Sequence, residues 1–258
     1  VQLRAKIVKE DEIGELAQKF NEMLDQMEEL KQKEYQAKQL LNRAEYKALQ
    51  AQVNPHFLYN TLDTMASIAE IRNCPEVSHM SQSLALIFRY SLNMKDPFST
   101  VENEIAHLKN YIYVMDMRMH DNIQYTFDVD EMTLKSKLPR LSLQPIVENA
   151  INHGLRNKRG KKKIGIQIKR EQMDLVICIE DNGIGLDTSA INESLRKNEL
   201  DFVEKGNSIG LHNINARLKM LYGNQYGMHL ESTLGEGTKV FMILPDSGED
   251  SNNEEKDI

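Results

Sequence analysis

Hydrophobic residues recur at alternating spacings of three and four along the N-terminal third of the chain. The first six are Ile13, Leu16, Phe20, Met23, Met27 and Leu30. This spacing is typical of the a and d positions of a coiled coil. The register continues to Ala51 with smaller residues and one charge, and Gly14 is the only glycine between Asp11 and Asn54. We therefore expect a long helix that pairs with a parallel copy in a homodimer, with packing inside one monomer as the alternative.

A proline followed by a histidine interrupts this helical pattern. A proline at position 55, inside a helix, removes a hydrogen-bond donor and clashes with the preceding turn, at a cost of about 3 kcal/mol. We expect the helix to continue to about Arg72, where Asn73-Cys74-Pro75 ends it, and a second helix to cover 76–94. Two antiparallel helices per chain, paired across a dimer, form a four-helix bundle. His56 is then either an ordinary surface residue on a kinked helix or an imidazole exposed for chemistry.

The pattern changes after Pro97. A capping box over 99–102 predicts a helix to about 119, and helical periodicity returns over 141–155 and 210–221. Strand patterns lie between and after these helices, at 123–127, 164–168, 175–179, 228–232 and 239–244. Together they predict an α/β sandwich in which a mixed sheet lies under a helical layer. The acidic tail after Pro245 lacks apolar residues until Ile258, so we expect it to be disordered.

Composition narrows the class of protein. The net charge is −7, without the basic stripe that marks a nucleic-acid binder. The two cysteines match no metal spacing and no disulfide framework, which fits a reducing compartment. No apolar run approaches the roughly 18 residues of a membrane span. The chain shows no signal peptide and begins at Val1, so we expect a piece of a longer protein.

Asparagines in the segment 148–154 form the first of four elements that predict a nucleotide site. Asn149 and Asn152 are three residues apart and share one face of the predicted helix. Amide oxygens suit Mg²⁺, which also binds phosphate oxygens. The alternative is that both are capping or surface asparagines.

The second element is Asp181-Asn-Gly-Ile-Gly, directly after a buried strand. A carboxylate at a strand end can accept a hydrogen bond from an adenine amino group, and Gly183 and Gly185 let the backbone approach a ligand closely. The same letters are also an ordinary turn signal.

Two glycine-rich segments complete the set. The run 206–211 leads into a helix, whose N-terminus presents N–H groups to phosphates. The run 235–238 is a hairpin turn whose Thr238 hydroxyl could reach a base. Between the second and third elements, residues 186–205 are polar and lack strong helix signals, which is typical of a lid loop. The order and spacing of the four elements together favour one ATP site.

These ordered motifs resemble the ATP-binding (GHKL-type) fold that histidine kinases share with gyrase, Hsp90 and MutL. The runs 54–62, 143–150 and 181–186 are similar to the YesM/LytS type of sensor histidine kinase, and 11–16 resembles the second helix of a HAMP linker. The resemblance covers about residues 11 to 246. It implies the end of a HAMP linker at 1–34, a dimerisation and phosphotransfer hairpin at 35–97, an ATP-binding domain at 98–247, and a tail at 248–258.

The resemblance also implies a role for each matching residue. His56 matches the phosphoacceptor, and imidazole is a neutral nucleophile at pH 7. Asn60 lies where related kinases carry a residue that orients water to dephosphorylate their partner. Asn149 matches the Mg²⁺ ligand. The other matching positions, which lie beside the phosphates, the adenine or the lid, are Asn152, His153, Asp181, Gly183, Gly185, Gly206, Gly210, Leu211 and Thr238.

Two positions depart from the pattern of related kinases. Many carry an acidic residue directly after the phosphoacceptor as proton acceptor, but this chain has Phe57, which leaves Glu148 as a candidate base. Pro145 stands where the ATP-hydrolysing relatives carry the glutamate that activates water. This second difference favours transfer to protein over simple hydrolysis.

The implied protein is the cytoplasmic portion of a bacterial membrane-anchored sensor kinase. It would use ATP and Mg²⁺ to phosphorylate His56 and pass the phosphoryl group to an aspartate of a response-regulator receiver domain. The implied partners are a second copy of the chain, the receiver domain and, through a missing N-terminal sensor region, the membrane. The alternatives are a serine kinase or ATPase of the same nucleotide fold, and a signalling scaffold that binds ATP without transferring it.

Overall fold

The structure is a computed structural model that describes residues 55–92, 96–119, 122–197 and 209–246. It also describes fifteen residues of the N-terminal stretch: 15, 16, 18–21, 23–27, 30, 31, 33 and 38. The chain divides into two compact units, Val1–Asn54 and Pro55–Ile258.

In the first unit, every described residue is helical. The described apolar positions of the predicted seam are all exposed, from 45% for Phe20 to 69% for Leu16. A partner helix would cover such positions in a coiled coil, and both this pairing and packing within one monomer stay predictions. Ile13 and the continuation of the seam to Ala51 lie outside the described residues.

The second unit begins with the predicted helical hairpin. Helix α1 (Pro55–Ile71) and helix α2 (Pro75–Leu92) are joined by a turn in which Asn73 has a φ of 54°. Pro55 is the first residue of the described helix, where a missing N–H has no intrahelical acceptor to lose. The prediction that this proline lies inside a longer helix rests partly on residues 39–54, which are not described.

Five strands form the main sheet in the order β2-β4-β5-β7-β6. They are β2 (Ile123–Val129), β4 (Lys162–Glu171), β5 (Asp174–Asp181), β6 (Gly227–Thr233) and β7 (Gly237–Pro245). β2 pairs with β4 in parallel and the other pairs are antiparallel, so the predicted mixed sheet is confirmed. A separate ribbon pairs β1 (Phe98–Thr100) with β3 (Lys137–Pro139).

Alternate residues of the sheet point into one core. On β5, for example, Leu175, Ile177 and Ile179 are each at most 1% exposed. The helices that cover this face are α3 (Val101–Met119), the short α4 (Gln144–Asn149) with its π-helical continuation Ala150–Leu155, α5 (Ser189–Lys197) and α6 (Ile209–Tyr222). A 3₁₀ turn, Glu131–Thr133, follows β2.

The helix predicted over 141–155 begins later than its sequence suggests. Leu141 has a φ of 56°, and α4 starts only at Gln144. From Ala150 the helix widens to a π-helix. Tertiary contacts accompany both departures: Glu104 accepts N–H groups before the start of the helix, and the Gly154 carbonyl bonds the loop after β5 near its end. Helical periodicity does not encode such contacts.

The lid loop predicted over 186–205 is wrong in its first half, because α5 occupies Ser189–Lys197. Tertiary contacts stabilise this polar helix. The Asn192 side chain bonds both backbone groups of Leu230, and the Ser194 hydroxyl lies 2.8 Å from Nε2 of His212. Residues 198–208 lie outside the described residues.

A buried glutamate joins the hairpin to the α/β domain. Glu104 on α3 is fully buried, and its carboxylate accepts the backbone N–H groups of Leu141 (2.7 Å), Ser142 (2.9 Å) and Leu143 (3.2 Å). Successive N–H groups around a left-handed residue form an anion-binding concavity called a nest. Tyr90 of α2 donates its hydroxyl to the same carboxylate.

Tyr90 is held at this junction from two sides. The guanidinium of Arg140 lies 4.2 Å from the centre of its ring and donates to its backbone oxygen at 3.3 Å. The His107 ring stacks on it with centroids 4.4 Å apart. Burial, followed by the Glu104 charge, raises the pKa of Tyr90, so the phenol stays a donor.

Replacing Glu104 tests this junction. We expect Glu104→Ala to lower the free energy of unfolding by about 3 kcal/mol or more, because two buried N–H groups and one half-buried N–H group lose their acceptor, at about 1–3 kcal/mol for each buried group. Urea unfolding followed by circular dichroism measures the loss. The exposed Glu102 of the same first turn is the matched control, and Glu102→Ala should cost less than about 1 kcal/mol. Equal losses in the two variants would contradict the structural role of the nest.

Candidate functional site

A cavity of about 240 Å³ opens between the helical layer and one end of the sheet. Most of its wall is apolar and comes from Ile146, Ala150, Ile179, Ile184, Leu186, Ile191, Leu211, Leu230 and Val240. Four polar side chains also line it: Asn149, His153, Asp181 and Thr238. All four are residues that the sequence predicts for the site.

The π-helix decides which side chains of the segment 148–154 reach the cavity. Asn149 and His153, four residues apart, both line it, whereas Asn152 does not. A π-helix has a wider turn than an α-helix, so residues four apart, rather than three apart, share a face. Glu148 is not a lining residue either. Its charge is instead a secondary cause, after burial, of the raised pKa of Tyr111 on α3.

Two glycines allow the π-helix to contact the loop after β5. The Gly154 carbonyl accepts the N–H of Ile184 at 3.0 Å, and a Cβ on Gly183 would lie 2.3 Å from that carbonyl oxygen. A Cβ on Gly154 would lie 2.7 Å from Oδ1 of Asp181. Gly154 was not among the predicted site residues, although its place directly after His153 is a signal in the sequence.

Asp181 ends β5 and is 7% exposed. Gly183 N–H donates to Oδ1 at 2.7 Å, and the backbone N–H of Thr238 on β7 also donates to this carboxylate. Burial raises the pKa of Asp181 to about 6, although the two N–H donors and the charge of Lys158 act in the opposite direction. At neutral pH the site therefore holds a carboxylate that is poorly hydrated and can accept a further donor.

A serine that the sequence did not single out holds Thr238. The Ser232 hydroxyl lies 2.9 Å from the Thr238 hydroxyl and accepts the Leu186 N–H at 2.9 Å. It also donates to the Gly237 carbonyl at 2.7 Å. Ser232 thus joins β6, β7 and the loop after β5. Its position on the buried face of β6 was the only sequence signal for this role.

The remaining predicted glycines and the adjoining leucine lie close to the cavity or outside the described part. Gly185 lines the cavity with a φ of +65°, and a Cβ there would lie 2.1 Å from the Thr233 carbonyl oxygen. Leu211 lines the cavity from the first turn of α6, and Gly210 precedes it on the same helix. Gly206 lies outside the described residues.

His56 is exposed in the first turn of α1 and is not a lining residue of the cavity. Its Nδ1 lies 3.2 Å from Nδ2 of Asn60, one turn further on. The structure therefore presents two sites, a cavity in the α/β domain and an imidazole on the hairpin.

The cavity has the chemistry of a nucleotide-base site. A mostly apolar cavity with one carboxylate among its lining side chains fits a heteroaromatic ring that carries an amino group. Asn149 and His153 add polar groups on the helical side. Among the described residues, no group of three or more His, Cys, Asp or Glu side chains could hold a metal ion. A Mg²⁺ ion here would need phosphate oxygens and water beside an amide ligand.

Two family models match separate parts of the chain. The family described as "Histidine kinase" matches residues 44–123, and "Histidine kinase-, DNA gyrase B-, and HSP90-like ATPase" matches residues 137–248. Sensor histidine kinase YesM of Bacillus subtilis (strain 168) is 32% identical over 92% of this chain. Sensor protein LytS of Oceanobacillus iheyensis is 33% identical over 81% of it.

The chain spans only 39% of the length of YesM and 35% of LytS. Among solved structures, the catalytic domain of histidine kinase ThkA is 14% identical and has a TM-score of 0.44 over 58% of this chain and 95% of that one. Within the described residues, no helix is both long and apolar enough to cross a membrane. The two matched families and the relatives of 32–33% identity show that this chain belongs to the sensor histidine kinases.

Proposed function

We propose that ATP bound in the cavity phosphorylates His56, and that the phosphoryl group then passes to an aspartate of a response-regulator receiver domain. The observation that carries this proposal is a mostly apolar cavity lined by the buried Asp181, together with an exposed histidine on the adjoining hairpin. The relatives named sensor histidine kinases support the same activity.

The buried carboxylate of Asp181 is suited to recognise adenine. The exocyclic amino group of the base donates to the carboxylate, and the apolar walls from Ile179 and Leu230 exclude water around the ring. Thr238, fixed by Ser232, adds a hydroxyl beside the base. A base without an amino group at this place would leave the carboxylate unpaired, which favours adenine.

The triphosphate would lie toward the helical side of the cavity. Asn149 would hold Mg²⁺ through its amide oxygen, and the ion would neutralise phosphate charge when it is bound. His153 and Asn152 are placed on the same short helix, and the first turn of α6 offers N–H groups to phosphates near Gly210. These roles follow the matching motif positions in the related kinases.

The transfer step needs only the imidazole of this chain as nucleophile. A lone pair on a ring nitrogen of His56 forms a bond to the γ-phosphorus while the bond from that phosphorus to the bridging oxygen breaks, and ADP leaves with the electron pair. Because His56 does not line the cavity, the nucleotide domain must approach the ring of its own or a second chain. The hairpin and the nucleotide domain then act as the separate domains 35–97 and 98–247.

The exposed apolar residues of the hairpin support the proposed homodimer. Phe57, Met65 and Ile68 on α1 are 65%, 48% and 54% exposed, and Val77 and Leu86 on α2 are similar. A second hairpin would cover these side chains in a four-helix bundle. The seam at Leu16 to Leu30 would continue the dimer into a coiled coil and the end of a HAMP linker at 1–34. In the whole protein, a sensor region at the membrane would precede this cytoplasmic portion.

Labelling with γ-³²P-ATP and Mg²⁺ tests the activity. We expect label that is lost in acid and stable in base, as for a phosphorus–nitrogen bond, and no detectable label in His56→Gln. His229→Gln, which changes an exposed histidine on the sheet, is the control and should label normally. Label that survives in His56→Gln would contradict the assignment of His56. Acid-stable label would indicate a serine kinase, and ATP binding without label would indicate a scaffold.

The pH dependence of base binding tests Asp181. Because the pKa of this carboxyl is raised to about 6, protonation below pH 6 removes the acceptor for the adenine amino group. Affinity should reach a plateau above pH 7 and fall by roughly ten-fold per unit at pH values well below 6. Adenosine, followed by NMR titration, is the probe because it carries no phosphate that titrates in this range. Asp181→Asn should lose binding at every pH, and a flat profile in the wild type from pH 5 to 8 would contradict the role.

Adding one methyl group at Gly154 tests the contact between the π-helix and Asp181. The Cβ of Gly154→Ala would lie 2.7 Å from the carboxylate, so the carboxylate or the helix must move. We expect ATP affinity to fall by about ten- to a hundred-fold, the usual cost of misplacing a binding group by about an ångström. Gly165→Ala is the matched control, because its Cβ would meet only Thr126 Oγ1 at 3.4 Å. Equal affinities in the two variants would contradict the proposed geometry.

A further inference from the structure

A side-chain contact in the first turn of α1 bears on how His56 reacts. The carboxamide of Asn60 lies against the imidazole, with Nδ2 3.2 Å from Nδ1 of His56. The backbone of this turn carries additional bonds, because the Thr61 hydroxyl donates to the Phe57 carbonyl at 2.7 Å and the Thr64 hydroxyl donates to the Asn60 carbonyl at 2.7 Å. The Asn60 amide lies one turn after the ring on the same helix face.

A neutral imidazole has one N–H and one nitrogen with a free lone pair. The hydrogen bond made at one ring nitrogen decides which nitrogen carries the proton. A carboxamide can serve either tautomer, because its NH₂ end donates and its oxygen accepts. In the orientation of the structure, Nδ2 of Asn60 donates to Nδ1, which keeps the ring proton on Nε2. A half-turn about Cβ–Cγ places Oδ1 at Nδ1 instead and moves the preferred proton position to Nδ1.

We propose that Asn60 is a positioning residue that selects the reactive tautomer of His56 through the orientation of its amide. With Oδ1 accepting from Nδ1–H, the lone pair is on Nε2, the nitrogen at the outer end of the ring. This inference rests on the proposed phosphorylation of His56. It gives Asn60 a role in the forward reaction, whereas the resemblance to related kinases implies a role only in dephosphorylation of the regulator.

The tautomer of His56 determines whether a proton must leave the attacking nitrogen during phosphoryl transfer. Nε2 carries no proton in the selected tautomer, so its lone pair forms the bond to the γ-phosphorus without any proton leaving that nitrogen. The bond from phosphorus to the bridging oxygen breaks, and its electron pair leaves on ADP. The ring becomes a phosphorylated imidazolium whose Nδ1–H still donates to Oδ1 of Asn60, and this proton later passes to water.

The selected tautomer also accounts for two features of the chain. Phe57 stands where many related kinases carry an acidic residue, and Glu148 does not line the cavity. A general base is dispensable when the attacking nitrogen is already unprotonated. A neutral acceptor at Nδ1 is then sufficient to stabilise the positive charge that develops on the ring.

The first test compares three variants of the full 258-residue chain by initial rates of ³²P incorporation at pH 8.5. We expect Asn60→Ala to lower kcat by about three- to ten-fold, the value of one hydrogen bond, with an unchanged KM for ATP. Asn60→Asp can only accept at Nδ1, so it should keep at least half of the wild-type kcat. Asn110→Ala removes an amide contact one turn back on another helix, at 3.0 Å, and should react as the wild type.

The second test reads the tautomer without any need for activity. In ¹⁵N-histidine-labelled protein, the ring nitrogen signals of His56 are those missing from His56→Gln. We expect the population protonated at Nδ1 to rise in Asn60→Asp and to change in Asn60→Ala, with no change in Asn110→Ala.

The two tests separate this inference from the proposed function. A wild type that incorporates no label overturns the kinase assignment, whatever the ring signals show. A wild type that incorporates label, with equal rates in Asn60→Ala and unchanged ring signals in Asn60→Asp, overturns the role of Asn60. Equal loss of rate in Asn60→Asp and Asn60→Ala also overturns it, because the acceptor alone should be enough.

Discussion

The carboxylate of Glu104 is the constraint on which the position of the nucleotide site depends. A buried charge is tolerated only when hydrogen bonds replace its hydration, and Glu104 receives three N–H groups from a single turn together with the Tyr90 hydroxyl. The N–H groups of residues 141–143 all point to the Glu104 carboxylate, and Leu141 adopts the left-handed region in this turn. Helix α4 begins directly after this turn, and its π-helical continuation contacts the loop after β5 through the Gly154 carbonyl.

A second buried carboxylate, Asp181, lies near the C-terminal end of the π-helix, and its protonation also depends on the donors around it. Asp181 has a folded-state pKa of about 6, above its ordinary value of 3.8, because burial outweighs the donors around it. The folded chain therefore binds a proton more tightly than the unfolded chain between these values. This group favours folding below pH 3.8, and that contribution is lost as the pH rises to 6. At neutral pH the cavity thus holds a poorly hydrated carboxylate, and an adenine amino group would supply a further donor.

Sequence alone predicts the parts that depend on local pattern. The alternation of Leu175, Ile177 and Ile179 predicts a strand with one buried face, and Asp181, which follows this alternation, is predicted to place a carboxylate at the strand end. The wide π turn and helix α5 could not be predicted in this way. Both are stabilised by distant groups: the Gly154 carbonyl meets the loop after β5, and the side chain of Asn192 bonds Leu230. Helical periodicity counts neighbours along the chain and carries no information about such contacts.

Under the proposed function, the contrast between the cavity of the α/β domain and the exposed His56 has a chemical reason. A phosphoacceptor in a relay must meet two different partners, the nucleotide domain and then a receiver domain, so it cannot remain enclosed by either. A group that orients the ring through both encounters must travel with it. Asn60, one turn below His56 on the same helix, satisfies this requirement, whereas a residue of the cavity such as Asp181 does not. A neutral amide also remains effective in exposed, salt-screened surroundings, where an additional charge contributes little.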